Sequence, residues 1–195
     1  PGVGKTTLAS AFARSLALDY KRITFTPDVT PSDVVGYTII DFKTNVMEYR
    51  KGAVFANLLL ADEINRTSPK TQSSLLEVME EGQVTVDGVS HPIPSPFIVI
   101  ATQNPVGAAG TQLLPDSQMD RFMIRLSLGY PEPADEVTMV LNRQEGNPLQ
   151  ALMPIVTREQ LIALQDTVER TFISDTVVSY IVRLVGATRN DAEIS

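Results

Sequence analysis

Four places in the sequence carry side chains that could do chemistry together. The first is PGVGKTTL, residues 1–8. Glycines let backbone amides approach phosphate oxygens, a lysine reaches the outer phosphates, and a hydroxyl can hold a magnesium ion. Gly2, Val3, Gly4, Lys5, Thr6 and Thr7 supply that set directly before an apolar helix pattern. The dipole at a helix N-terminus favours an anion in the same place. These residues match the last part of the phosphate-loop pattern G-x-x-x-x-G-K-[ST], whose first Gly would lie upstream of Pro1. A chance Gly-Lys-Thr at a helix start gives the same string.

The second place is LLLADE, an apolar run ending in Asp62 and Glu63. Ligands gather at the C-terminal ends of parallel strands. An Asp there can hold magnesium through water, and a neighbouring Glu can polarise an attacking water. Two acids that merely cap a strand end are the plainer reading. The third is Asn104 in IATQNP, a neutral amide able to orient water without adding charge; it also suits a turn before Pro105. The fourth is Arg121 in MDRF. An arginine supplied in trans can stabilise the charge of phosphoryl transfer. A surface salt bridge to Asp120 or Asp116 is the other reading.

The elements around these places follow from periodicity. Leu8, Phe12 and Leu16 recur at helical spacing with Ala9, Ala13 and Ala17 beside them, predicting a helix with that apolar face. RITFT (22–26) reads as a strand, and 26–36 as a loop with one helical turn. Residues 37–52 read as a hairpin around Lys43-Thr44-Asn45. The continuous apolarity of 57–63 predicts a strand buried on both faces of a parallel sheet. Ser68 and Pro69 mark a helix start, Leu75, Leu76, Val78 and Met79 its inner face, and Gly82 its end. Asp87-Gly88 predicts a tight hairpin over 83–93. Runs 97–105 and 123–128 read as two more strands, and 134–145, 158–170 and 175–189 as helices. The texture changes at the Pro-rich joint after Gly129. We therefore expect an α/β part over 1–130 and an all-helical part over 131–195. His91 is expected on a hairpin surface, and the six Met as core filler.

Bulk properties narrow the classes. The 195 residues suit one large domain or one domain with part of a second. No apolar run approaches the ~18 residues that span a bilayer. Zero Cys removes disulfides and thiolate metal sites, and fits a cytoplasmic protein. A single His argues against multi-His metal centres and a Ser-His-Asp triad. A net charge of -7 offers no general attraction to nucleic acid.

In this order, PGVGKTTLA, FTPDVTPSDVVG, FANLLLADEINR, KTQSSLLEVMEEGQVTVDG, PFIVIATQNP and LPDSQMDRF resemble the signatures of the MoxR family of AAA+ ATPases, over essentially the whole chain. The resemblance implies a P-loop NTPase fold: a parallel sheet flanked by helices, followed by a helical lid. It implies ATP and Mg²⁺ as cofactors, a homo-oligomeric ring (a hexamer), and chaperone-like remodelling or maturation of a partner complex. A partner carrying a von Willebrand factor A domain also belongs to that picture. By position, Lys5 and Thr6 fall in Walker A, and Asp62 and Glu63 in Walker B. Asn104 matches sensor 1, and Arg121 the arginine finger. Thr6 and Asp62 become the metal residues. The hairpins at 37–52 and 83–93 match inserts that face the ring pore or a client, and Arg66 is a second candidate for a subunit-interface role. The sequence departs from the family at both ends. The family's first strand, central in its sheet, is absent, and no sensor 2 Arg is found, since Arg189 resembles a position upstream of it. We therefore expect the biological chain to extend upstream and this piece to bind ATP poorly or not at all. Two other readings stand beside the ATP-driven remodeller: a nucleotide-gated assembly scaffold with incidental turnover, and a DNA-remodelling motor.

Overall fold

The computed structural model describes residues 4–103, 113–144 and 146–189. The chain divides into two compact units, Pro1–Arg158 and Glu159–Ser195. The division falls later than the Pro-rich joint where the sequence changes texture.

In the first unit, helix α1 (Lys5–Ser15) leads into strand β1 (Tyr20–Thr24), and β1 pairs in parallel with β4 (Leu58–Asp62). On its other side β4 pairs in parallel with β7 (Ile98–Ala101), so the sheet order is β1-β4-β7. All five residues of β4 are buried. Their unbroken apolarity is what a central strand needs, because both faces lie under other elements. Helix α1 departs from the expected face. Ala9, Ala13 and Leu16 are buried, whereas Leu8 and Phe12 are exposed. The alanine row lets the helix axis lie close to the sheet, and the larger side chains next to it are turned outward.

Helix α2 (Pro31–Val35) is the single helical turn expected within 26–36. Asp33 caps it by accepting from the Thr30 backbone N–H at 2.8 Å and the Thr30 hydroxyl at 2.7 Å. These bonds hold the Asp33 carboxyl below its ordinary value. Helix α3 (Pro69–Glu81) starts at Ser68, whose hydroxyl accepts from Thr71 N–H. It ends at Gly82 in the left-handed region, φ 64°. Leu75, Leu76 and Val78 are buried on Phe25, Val34, Val54 and Leu59, which form the core.

Two hairpins leave this core: β2 (Gly36–Asp41) with β3 (Val46–Lys51), and β5 (Gln83–Val86) with β6 (Val89–Pro92). Asp87 and Gly88 both have positive φ, 51° and 77°, as a two-residue primed turn requires. His91 is not an isolated surface residue. Its ring is half-buried and stacks on Tyr49 at 3.9 Å and 10°, so the second hairpin leans on the first. At the base of the first hairpin the backbones nearly touch. A Cβ on Gly52 would lie 2.3 Å from the Val34 carbonyl oxygen and 2.5 Å from Gly36 N. Gly52→Ala must spread this base and is expected to cost about 1–3 kcal/mol. Chemical denaturation of the variant checks it, and an unchanged midpoint would show that the base opens freely.

The expected strand at 123–128 does not form. These residues follow helix α4 (Asp116–Met119) as irregular chain, with Met123, Ile124 and Leu126 exposed. Among the described residues β7 is an edge of the sheet, and 123–128 pair neither with it nor with any other strand. An apolar run without a hydrogen-bonding partner cannot satisfy its backbone as a strand. The methionines also depart from expectation: Met79 and Met119 pack on the core, while Met47, Met123, Met139 and Met153 are exposed. Helix α5 (Pro133–Gln144) and a short 3-10 turn (Pro148–Ala151) complete the unit, and Arg14 of α1 donates to the Leu149 carbonyl at 2.9 Å. The second unit is helical, built from α6 (Arg158–Glu169), which begins at the division, and α7 (Asp175–Thr188).

Candidate active site

The C-terminal end of β4 and the N-terminal end of α1 meet, and four of the residues singled out above gather there. Gly4 caps α1 with φ 82°, a conformation that L side chains resist. Among the described residues nothing lies within 4 Å of where its Cβ would stand. Lys5 Nζ donates to the Gln103 carbonyl at 3.0 Å, just beyond β7. Thr6 Oγ1 donates to Asp62 Oδ2 at 3.4 Å. Gly2, Val3 and Asn104 lie outside the described residues.

Asp62 is held from three sides. Its Oδ1 accepts from the Thr102 hydroxyl at 2.5 Å, and its Oδ2 from Arg22 Nη2 at 2.6 Å as well as from Thr6. Burial pushes this carboxyl up, but the bonds from Thr102 and Arg22, the Arg22 charge and the Thr6 hydroxyl outweigh it. The group is therefore held below its ordinary value, ionised at neutral pH. Glu63 follows in the left-handed region, φ 58° and ψ 42°. Its N–H donates to the Thr102 hydroxyl at 2.9 Å, and its Oε2 pairs with Arg66 Nη1 at 2.6 Å. Thr102 thus braces both acids, and its own backbone is pinned by bonds to Ala61 O and from Ile64 N. Arg66 engages Glu63 within the chain.

Arg22 and Thr102 were not among the candidates read from the sequence. Parallel pairing brings them in, with Arg22 opposite Leu60 and Ala101 opposite Ala61. A hydroxyl two residues before Asn104 in IATQNP was the available signal for Thr102. Arg121 stands apart from this group. It pairs with Glu80 on α3 at 3.1 Å, both side chains well exposed, rather than with Asp120 or Asp116. A cavity of about 530 Å³ adjoins Lys5 and Gln103, but its walls are Ala101, Leu113, Ile124 and Leu126. Lys5 and Gln103 line this groove as well, so it opens directly beside the polar cluster in which Asp62 and Glu63 stand.

The fold and this cluster define a P-loop nucleotide-binding module. The family model described as "ATPase family associated with various cellular activities (AAA)" matches residues 1–124. Across its full length the chain is 48% identical to the uncharacterized protein YeaC of Bacillus subtilis, covering 61% of that protein. It is 42% identical to chaperone MoxR1 of Mycobacterium tuberculosis, again over its full length, covering 51% of that protein. The crystal structure of a candidate ATPase from Cytophaga hutchinsonii superposes with a TM-score of 0.83 at 40% identity, covering 96% of this chain and 57% of that one. The chain belongs to the MoxR family of AAA+ ATPases. It spans about half to three fifths of the length of these relatives. Among the described residues no helix is long and apolar enough to cross a membrane.

Proposed function

We propose that the protein hydrolyses ATP with Mg²⁺ and uses the cycle to remodel or mature a partner protein complex. The observation that carries this is the convergence of Lys5, Thr6, Asp62 and Glu63 where α1 starts and β4 ends. The donor set fits the groups it would hold. Thr6 Oγ1 and Asp62 Oδ2 are hard oxygen ligands 3.4 Å apart, suited to magnesium. The described residues offer no cluster of three or more His, Cys, Asp or Glu, so phosphate oxygens and water must complete the coordination. Magnesium supplies charge neutralisation on the phosphates.

The chain's own residues do the rest. The backbone around Gly4 and the start of α1 cradle the phosphates, and Lys5 leaves the Gln103 carbonyl to reach their outer oxygens. Glu63 takes a proton from the attacking water, with Asn104 positioning that water. Arg121 acts on a neighbouring subunit's site, in a ring of six copies. The hairpins at 37–52 and 83–93 face the client, and a von Willebrand factor A domain protein is the companion partner. The helical part from 131 onward is the lid. Support for the client role comes from MoxR1, named a chaperone.

The test is nucleotide binding in the full-length protein. At a hundredfold excess over Kd, ATP with Mg²⁺ is expected to stabilise the wild type by about 2.7 kcal/mol, read as a thermal shift. Lys5→Ala is expected to lose that shift at the same concentrations. An equal shift in both proteins would remove Lys5 from the phosphate site.

A further inference from the structure

The two oxygens of Asp62 are not equivalent. Oδ1 belongs to the brace at the sheet end, because Thr102 donates to it at 2.5 Å while accepting from Glu63 N–H. Using Oδ1 for a metal would dismantle that brace. Oδ2 is the oxygen that faces Thr6, and so the one able to share a cation with the Thr6 hydroxyl. That same oxygen is the one Arg22 holds, at 2.6 Å. Arg22 rises from the adjacent strand β1, with 46% of its side chain exposed against 12% for Asp62. The carboxylate is fixed, whereas the guanidinium sits at the end of a long, half-solvated stem.

We propose that Arg22 is a displaceable counter-ion of Asp62: it neutralises Oδ2 when no divalent cation is bound and swings off that oxygen when one binds. This rests on the Mg²⁺ reading above and adds to it a residue that sets how tightly the site loads metal. A largely buried carboxylate needs a compensating charge. Arg22 provides one before nucleotide and metal arrive. A guanidinium and a divalent cation on one oxygen repel each other, so entry of the ion displaces Arg22 toward solvent. Arg22 is in this sense a positioning residue, acting through Asp62. If it were only a tie between β1 and β4, its loss would lower stability and leave metal affinity unchanged or weaker.

The discriminating measurement is Mn²⁺ binding to the full-length protein saturated with a non-hydrolysable ATP analogue, whose phosphate oxygens complete the coordination, followed by electron paramagnetic resonance. Relieving a half-exposed ion pair is worth up to a modest factor, so Arg22→Ala is expected to bind Mn²⁺ about fivefold more tightly than wild type. Asp62→Asn is expected to weaken the binding by about tenfold or more. In the wild type, the Arg22 side-chain Nε resonance is expected to move on adding Mg²⁺, and to stay put in Asp62→Asn. Binding that depends on Asp62 but is no tighter in Arg22→Ala, or an unmoved Nε resonance at saturating Mg²⁺, overturns the counter-ion and leaves the metal site standing. Binding indifferent to Asp62 in every variant overturns both.

Discussion

Glu63→Gln is expected to bind ATP with wild-type affinity and to lose turnover by about 10²–10⁴-fold, the usual worth of a positioned general base. The substitution keeps shape and hydrogen-bonding length but removes the ability to accept a proton. Backbone geometry gives reason to expect that the rest of the site survives. Glu63 holds its left-handed conformation through main-chain anchors, its N–H on the Thr102 hydroxyl and its carbonyl accepting from Arg66 N–H at 2.9 Å. Neither bond involves the carboxylate. The side chain's pairing with Arg66 at 2.6 Å is half-exposed, so its weakening costs little stability. The measurement is steady-state phosphate release beside equilibrium binding of a fluorescent ATP analogue. Wild-type turnover in the variant removes Glu63 as the base. Loss of binding together with turnover assigns it a structural role.

How much of this was legible beforehand depends on whether a signal is local. Strand β4 shows itself through LLLAD because burial on both faces demands unbroken apolarity. Helix α3 shows both its ends, in Ser68-Pro69 and Gly82, because capping is decided within a few residues. The Asp87-Gly88 turn is of the same kind. Asp62, Glu63, Lys5 and Thr6 could be picked out as candidates because phosphate and magnesium chemistry would restrict residue type, and the fold brings them to one end of β4. What failed to show was non-local. Residues 123–128 have a strand's composition, yet a strand exists only against a partner edge, which composition does not report. Arg22 and Thr102 reach Asp62 through the register of β1 and β7 on β4. The His91–Tyr49 stack joins two hairpins that each look self-contained. On α1, helical spacing identified an apolar surface, but the choice between its alanine row and its Leu8–Phe12 row was made by how closely the sheet approaches.

Arg121→Ala is expected to leave ATP binding intact and to lower kcat by about 10³-fold, at the low end of what an arginine finger contributes. Under the proposed ring, Arg121 must be free to reach a neighbouring subunit, and its exposed setting allows that. Its guanidinium lies against Glu80 beside Ser73 and Glu77 on α3. The pair with Glu80 has 41% and 62% of its side chains exposed, and such pairs are worth about 0–1 kcal/mol. Arg121 can therefore leave Glu80 for a phosphate at little cost. Glu80→Ala breaks the same pair without removing the arginine, and is expected to change thermal stability slightly and turnover hardly at all. Mixing gives the sharper test. Arg121→Ala subunits retain Lys5, and Lys5→Ala subunits retain Arg121, so neither assembly alone has a complete site. A mixed assembly contains interfaces where Lys5 of one subunit meets Arg121 of the next, and turnover is expected to recover in part. Mixed assemblies that form but stay inactive would place Arg121 in its own subunit's site, or in the folding of α3 against α4, and not in a neighbour's.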